Sequence, residues 1–237
     1  MVKTASFCRH IEKDWLEQTL RWVASEVSLS DLNDKIEHLL SASIKTPENR
    51  RKARNLLISI WSNKSDQEFN RFFETSLKLH KKADGFSLAV HWGMLIAKKP
   101  FFAEVARFIG RQLRLNDSFT FAIAYRRLSM FYGETESTSR ALSAVLRTMI
   151  ELGVITRDHK TGCYQIACSP KKVGARISNW LLLAIFIADA KESVNFDDVL
   201  SDHVFFPFSL ELQQQNIDSS EFEQLVQGNA LILFKKR

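Results

Sequence analysis

The stretch 131-FYGETESTSRALSAVLRTMIELGVITRDHKTGCYQIAC-168 decides how the chain is read. Leu142, Val145, Leu146, Met149 and Ile150 recur at i, i+3, i+4, i+7 and i+8, the apolar face of a helix with 3.6 residues per turn. Gly153 stops that helix, and Val154 and Ile155 begin an extended segment. Asp158-His159-Lys160-Thr161-Gly162 is polar and turn-forming, and residues 164–168 alternate again. Helix, strand, turn, strand is therefore the expectation. Upstream, Lys98-Lys99-Pro100 breaks the chain and starts a helix. Phe101, Val105, Phe108, Ile109 and Leu113 line one face of it, and Arg107, Arg111 and Arg114 another. Asn116-Asp117-Ser118 reads as the cap of a further helix, which carries Phe121, Ala124, Tyr125, Leu128 and Phe131 with the pair Arg126-Arg127. Gly133 makes the turn into the helix quoted first.

Helix, helix, turn, helix, strand, turn, strand over about residues 99–168 resembles a winged helix-turn-helix domain. The resemblance implies that the third helix enters the DNA major groove, while the hairpin, the wing, reaches the adjacent backbone or minor groove. Removing the apolar stripe leaves Thr138, Ser139, Arg140, Ser143, Ala144 and Arg147 on the expected outer surface. Arg157, His159 and Lys160 stand at the wing. Arg111, Arg114, Arg126 and Arg127 complete the candidate nucleic-acid-binding set. Glu134, Glu136 and Glu151 lie close to the same helix and weaken a purely phosphate-directed reading. Charge supports the placement: residues 98–176 carry 14 Lys/Arg against 6 Asp/Glu, a net +8, whereas residues 177–237 carry −5. A positive excess draws polyanions.

The chain before this region reads as an N-terminal helical bundle over residues 1–98. Residues 7–27 suit one amphipathic helix through Ile11, Trp15, Leu16, Leu20 and Val23. Ser28-Leu29-Ser30-Asp31 caps a second. Thr46, Pro47 and Glu48 suit the N-cap, first and second positions of a third. That third helix carries Arg50, Arg51, Lys52 and Arg54 in its early turns, where the helix dipole disfavours cations. Phosphate contact or pairing with acids elsewhere would each account for them. Ser65-Asp66 starts a fourth helix that Gly85 ends. Residues 86–97 are apolar all round, so a buried helix is expected, with His91 a core residue.

After a winged helix-turn-helix domain at 99–172, residues 173–237 read as a small α+β appendage. It holds a strongly apolar helix at 175–190, a helical turn near 195–200, a candidate strand at 205–212 and a closing strand at 231–234. The fold class is mainly α. The run at 180–188 is far shorter than the roughly 20 residues that span a bilayer, and residues 1–15 show no apolar region of a signal peptide. Cys8, Cys163 and Cys168 offer no disulfide framework, so reduced thiols and a cytoplasmic setting are expected. No phosphate-binding glycine loop, HExxH, GxSxG or paired CxxC is present, and the six histidines lack metal-ligand spacing. No catalytic residue, cofactor or metal is expected, and the chain reads as no enzyme.

Across its whole length, a helical N-terminal bundle joined to a winged helix is similar to the BrxA-type accessory proteins of bacterial BREX phage-defence islands. That resemblance implies a cytoplasmic DNA-binding protein acting with larger enzymes. The expected function is double-stranded DNA binding, either in transcription regulation or as an accessory subunit of a defence or DNA-processing complex. The alternative is a protein-interaction adaptor that uses its winged helix and C-terminal region for contacts with other subunits.

Overall fold

The computed structural model describes residues 4–62, 67–82 and 87–236. Among them the chain is mainly helical, with short strands concentrated in its last third. The helices are α1 (Lys13–Ala24), α2 (Leu29–Ser41), α3 (Pro47–Trp61), α4 (Gln67–Lys82), α5 (Leu88–Lys98), α6 (Pro100–Leu115), α7 (Phe121–Tyr132), α8 (Glu136–Glu151), α9 (Ala175–Asp189) and α10 (Phe196–Leu200). The strands are β1 (Ile155–Arg157), β2 (Tyr164–Ile166), β3 (Lys171–Val173), β4 (Ser193–Asn195), β5 (Phe208–Leu210), β6 (Phe222–Gln227) and β7 (Ala230–Lys235). No helix among the described residues is long and apolar enough to cross a membrane.

The chain divides into two compact units, each assembled from two separate stretches. Residues 1–62 and 112–168 form the first, and residues 63–111 and 169–237 the second. This cuts across the three consecutive segments 1–98, 99–172 and 173–237. The expected N-terminal bundle is split: α1, α2 and α3 pack on one another in the first unit, while α4 packs with α5 and α9 in the second. The cause is burial. Trp180 of α9 stacks on Phe72 of α4, with ring centroids 4.6 Å apart, and its indole N–H donates to the Phe72 carbonyl at 3.0 Å. The starting residues Ser65-Asp66 and the expected stop at Gly85 lie outside the described residues.

In the first unit, several local signals act as read. Ser28 Oγ accepts the Asp31 N–H at 3.1 Å. Pro47 opens α3 behind Thr46, although the Thr46 side chain makes no capping bond. Gly133 and Gly153 take φ of +81° and +70°, the left-handed conformations that end α7 and α8. Two expectations fail. The helix expected over 7–27 begins only at Lys13. Residues 4–12 form an arm whose Phe7 and Ile11 are buried, and the Ile11 N–H donates to Thr148 Oγ1 of α8 at 2.9 Å. That bond and two anchors replace the first helical turns. The cap of α7 is Thr120, not Asn116-Asp117-Ser118, because Phe119 is held extended against Tyr164.

In the second unit, α5 is buried along its length from Leu88 to Ala97, and His91 is fully buried as expected. Helix α9 lies against it, and the approach is close. A Cβ at Gly93 would fall 2.3 Å from the Trp180 ring. The sheet β4-β7-β6 is antiparallel throughout, with β7 as its centre. The strand expected over 205–212 shrinks to β5, which pairs in parallel with β3. Residues 203–205 instead form a 3-10 turn whose Asp202 side chain accepts the Val204 N–H.

Candidate nucleic-acid interface

Helix α8 and the β1–β2 hairpin form the candidate site in the first unit. The stripe Leu142, Val145, Leu146 and Met149 is fully buried. This fixes the rotation of α8 and so which of its side chains face solvent. Arg140 and Arg147 are exposed, and Ser139 and Ser143 half-exposed. Two residues assigned to the outer surface do not lie there: Thr138 and Ala144 are 1% and 7% exposed. Thr138 is a structural residue. Its hydroxyl donates to the Tyr132 carbonyl at 3.1 Å, and its N–H donates to Thr135 Oγ1, the N-cap of α8. Thr138 therefore locks the α7–α8 turn. Thr138→Val leaves the Tyr132 carbonyl without that donor and is expected to cost about 1–2 kcal/mol. Urea unfolding checks this, and DNA affinity below the transition should not change.

Arg140 pairs with Glu136 one turn earlier, both well exposed. A phosphate would compete with a weak surface ion pair there. Arg147 makes no hydrogen bond or ion pair with another described residue and is the freer cation of the helix. In the hairpin, Ile155 faces Ile166 and Arg157 faces Tyr164. The Arg157 guanidinium lies 5.5 Å from the Tyr164 ring centroid, a cation–π contact that orients it. The connecting turn is built on Asp158. Its carboxylate accepts the Lys160 N–H at 2.7 Å and the Thr161 N–H at 3.3 Å. These two bonds, Lys160's first, hold the Asp158 carboxyl below its ordinary pKa. His159 and Lys160 are left exposed at the tip.

Arg126 and Arg127 are exposed on α7. Arg127 lies 5.1 Å from the ring centroid of Phe131, which is itself 47% exposed although it belongs to the apolar series Phe121, Ala124, Tyr125, Leu128 and Phe131. Arg114 is exposed in the first unit. Arg111, also exposed, belongs to the second, because α6 passes from one unit to the other between Arg111 and Gln112. Arg107 is committed elsewhere. Its fork bonds both Asp189 oxygens at 3.0 and 2.9 Å, and its Nε meets Asp202 at 3.0 Å. Burial works against its charge, but Asp202 and Asp189 outweigh it and raise its pKa further. The basic excess over 98–176 is likewise divided between the units, which carry net charges of +4 and +2. The basic cluster of α3 resolves in favour of pairing with acids: Arg50 and Arg54 bond Glu37, while Arg51 and Lys52 bond Glu48.

One set of cations was not legible in the sequence. The Ile11–Thr148 bond brings the end of the arm to α8, so that His10 feels the charge of Arg147 as well as that of Arg9. The apolar spacing over 7–27 also fits a helix, and this hid the arrangement. Elsewhere in this unit, a groove between α1 and α2 is lined by Asp14, Asp34, Lys35, His38 and Trp22, a mixed-charge lining that does not suit a polyanion. The described residues hold no group of three or more His, Cys, Asp or Glu arranged to bind a metal. Cys8, Cys163 and Cys168 are free thiols. The chain matches no protein-family model, and neither a curated protein nor a solved structure matches it.

Proposed function

We propose that this is a non-enzymatic winged-helix protein that binds double-stranded DNA, acting as a regulator or as an accessory subunit of a bacterial defence or DNA-processing complex. The observation that carries the reading is the pairing of Phe119 with Tyr164. Their backbones exchange two hydrogen bonds, at 3.0 and 2.7 Å, and their rings stack 5.2 Å apart. The short segment between α6 and α7 is thereby tied to the β1–β2 hairpin by a one-residue antiparallel bridge. Extended segment, helix, helix, hairpin is the order in which a winged helix presents its recognition helix and wing. In this reading α8 enters the major groove through Ser139, Arg140, Ser143 and Arg147. The hairpin contacts the flanking backbone through Arg157, His159 and Lys160. Arg114, Arg126 and Arg127 add phosphate contacts.

A mobility-shift titration of the full chain against a mixed-sequence duplex tests this. Binding at low salt that weakens steeply as salt rises is the expected result. A chain that binds no duplex at low salt, or binds it indifferently to salt, contradicts the proposal.

One observation favours a second reading, a protein-interaction adaptor. Ile123, Met130 and Phe131 are 47%, 70% and 47% exposed on α7, and phosphates make no use of them. Under that reading Met130→Glu with Phe131→Glu abolishes assembly with partner subunits, and Arg140→Glu with Arg147→Glu leaves it intact.

A further inference from the structure

The N-terminal arm carries a feature that the DNA-binding reading does not use. Phe7 and Ile11 are anchored, at 0% and 1% exposure, and the Ile11 N–H is fixed to Thr148 Oγ1. The residues between them are therefore pinned on two sides, with the Cys8 thiol 3.9 Å from the Lys52 carbonyl of α3 and Ile11 bonded to α8. Arg9 is half-buried, and its Nε is shielded from solvent with no hydrogen-bond partner. A guanidinium N–H in that state lacks an acceptor that water would otherwise supply. Arg147 on α8 also makes no hydrogen bond or ion pair with another described residue. His10, next to Arg9 in the chain, is half-buried, with its ring 6.0 Å from that of Trp15, and it feels the charges of both Arg9 and Arg147.

We propose that Arg9, His10 and Arg147 form one anion site that takes a phosphate group, its source under the DNA-binding reading being the duplex backbone next to α8. Two guanidinium forks and an imidazole can supply a tetrahedral oxyanion with several N–H donors, and arginine suits phosphate through its paired donors. The surroundings set where the anion sits. Glu12 follows His10 by two residues and Glu151 follows Arg147 by one helical turn, and the Glu12 carboxyl pKa is raised by burial and then by Glu151 and Asp14. Those acids bound the site on one side.

The site also couples binding to protons. In the free protein, burial and then Arg147 and Arg9 depress the His10 pKa, so the ring is neutral near pH 7. A bound phosphate opposes both cations and favours the imidazolium. Its pKa is then higher in the bound state, so binding takes up a proton. Affinity increases as pH falls from about 8 toward 6, and the gain is lost as pH rises through the bound-state pKa.

The test is an NMR titration of the His10 ring in the full chain, alone, with inorganic phosphate and with a mixed-sequence duplex. Sodium chloride of equal ionic strength is the control. The expected result is an upward shift of the His10 midpoint of about one unit with phosphate and with duplex, and none with chloride. Arg9→Gln and Arg147→Gln should each reduce the shift, and His10→Gln should remove the part of the pH dependence of duplex binding that tracks the His10 midpoint. A His10 midpoint that ignores phosphate, or responds equally to chloride, overturns the site. If duplex binds while His10 stays unshifted, the site is wrong and the DNA-binding reading stands. If phosphate shifts His10 but no duplex binds, the anion site stands and the DNA-binding reading falls. Since Arg147 is exposed, Arg147→Gln keeps the test valid should Arg9→Gln disturb folding.

Discussion

Replacing Trp180 with alanine is expected to destabilise the second unit by about 4 kcal/mol, the upper part of the range for removing a large buried side chain. Three losses coincide. The indole is 2% exposed and stacked on Phe72 at an interplanar angle of 6°. Its N–H bond to the Phe72 carbonyl disappears. The ring also fills the space that the bare backbone of Gly93 leaves on α5, so truncation opens a void beside Gly93 and Phe72. Trp180→Phe keeps much of the apolar contact but not the hydrogen bond, and should cost about half as much. Urea unfolding followed by circular dichroism separates the variants. Equal midpoints for wild type and alanine variant would show that α9 does not hold this unit together.

The second large effect is expected at Arg107. Its side chain and those of Asp189 and Asp202 are only 23%, 19% and 17% exposed. Removing the arginine leaves two carboxylates partly shielded from water, with only the half-exposed Lys191 ammonium, 3.1 Å from Asp189, to offset them. Arg107→Ala should cost about 3 kcal/mol, because breaking a shielded pair strands its partners. Arg107→Lys keeps the charge but cannot reproduce three directed bonds, so it should recover only part of the loss. Comparison with Arg114→Ala distinguishes roles for the arginines of α6. Arg107 changes stability, whereas Arg114→Ala should leave stability within about 0.5 kcal/mol of wild type, as an exposed side chain does.

The contrast between these residues shows what a single sequence reveals. Where structure follows from neighbours within a turn or two, it was readable. The stripe from Leu142 to Met149, the stops at Gly133 and Gly153, and the Asp158 turn all depend on local geometry, and each is found where the pattern put it. Burial of α5 followed from its lack of any polar face. Long-range pairing was not readable. Nothing near Phe72 announces that Trp180, over a hundred residues later, will stack on it. The separation of α4 from α1, α2 and α3 could therefore not be read from short connections. Phe131 and Thr138 failed for a related reason. Each fits a helical wheel, but a tertiary neighbour decides which side of the wheel is covered. The arm failed because Phe7 and Ile11 satisfy helical spacing and an extended anchor equally well, and the deciding partner, the Thr148 hydroxyl, lies 137 residues away.

For the candidate site, residue types were legible and their availability was not. Arginine at 107, 140 and 147 reads the same in a sequence. Folded, the first is tied to two aspartates, the second to Glu136, and the third to none of the described residues. Under the DNA-binding proposal, ranking the cations by their partners makes Arg147, the β1–β2 hairpin and α7 the expected main source of phosphate affinity, and reduces the share expected from the net charge of the 98–176 segment.

The most direct test of the central claim is the salt dependence of duplex affinity, measured by fluorescence anisotropy from about 50 to 300 mM salt for wild type and Arg147→Ala. A log–log slope of several units for wild type, reduced by about one in the variant, is the expected result, since each neutralised phosphate contributes roughly 0.9. A wild-type chain that binds no duplex at the lowest salt, or a variant whose slope equals that of wild type, would contradict the account.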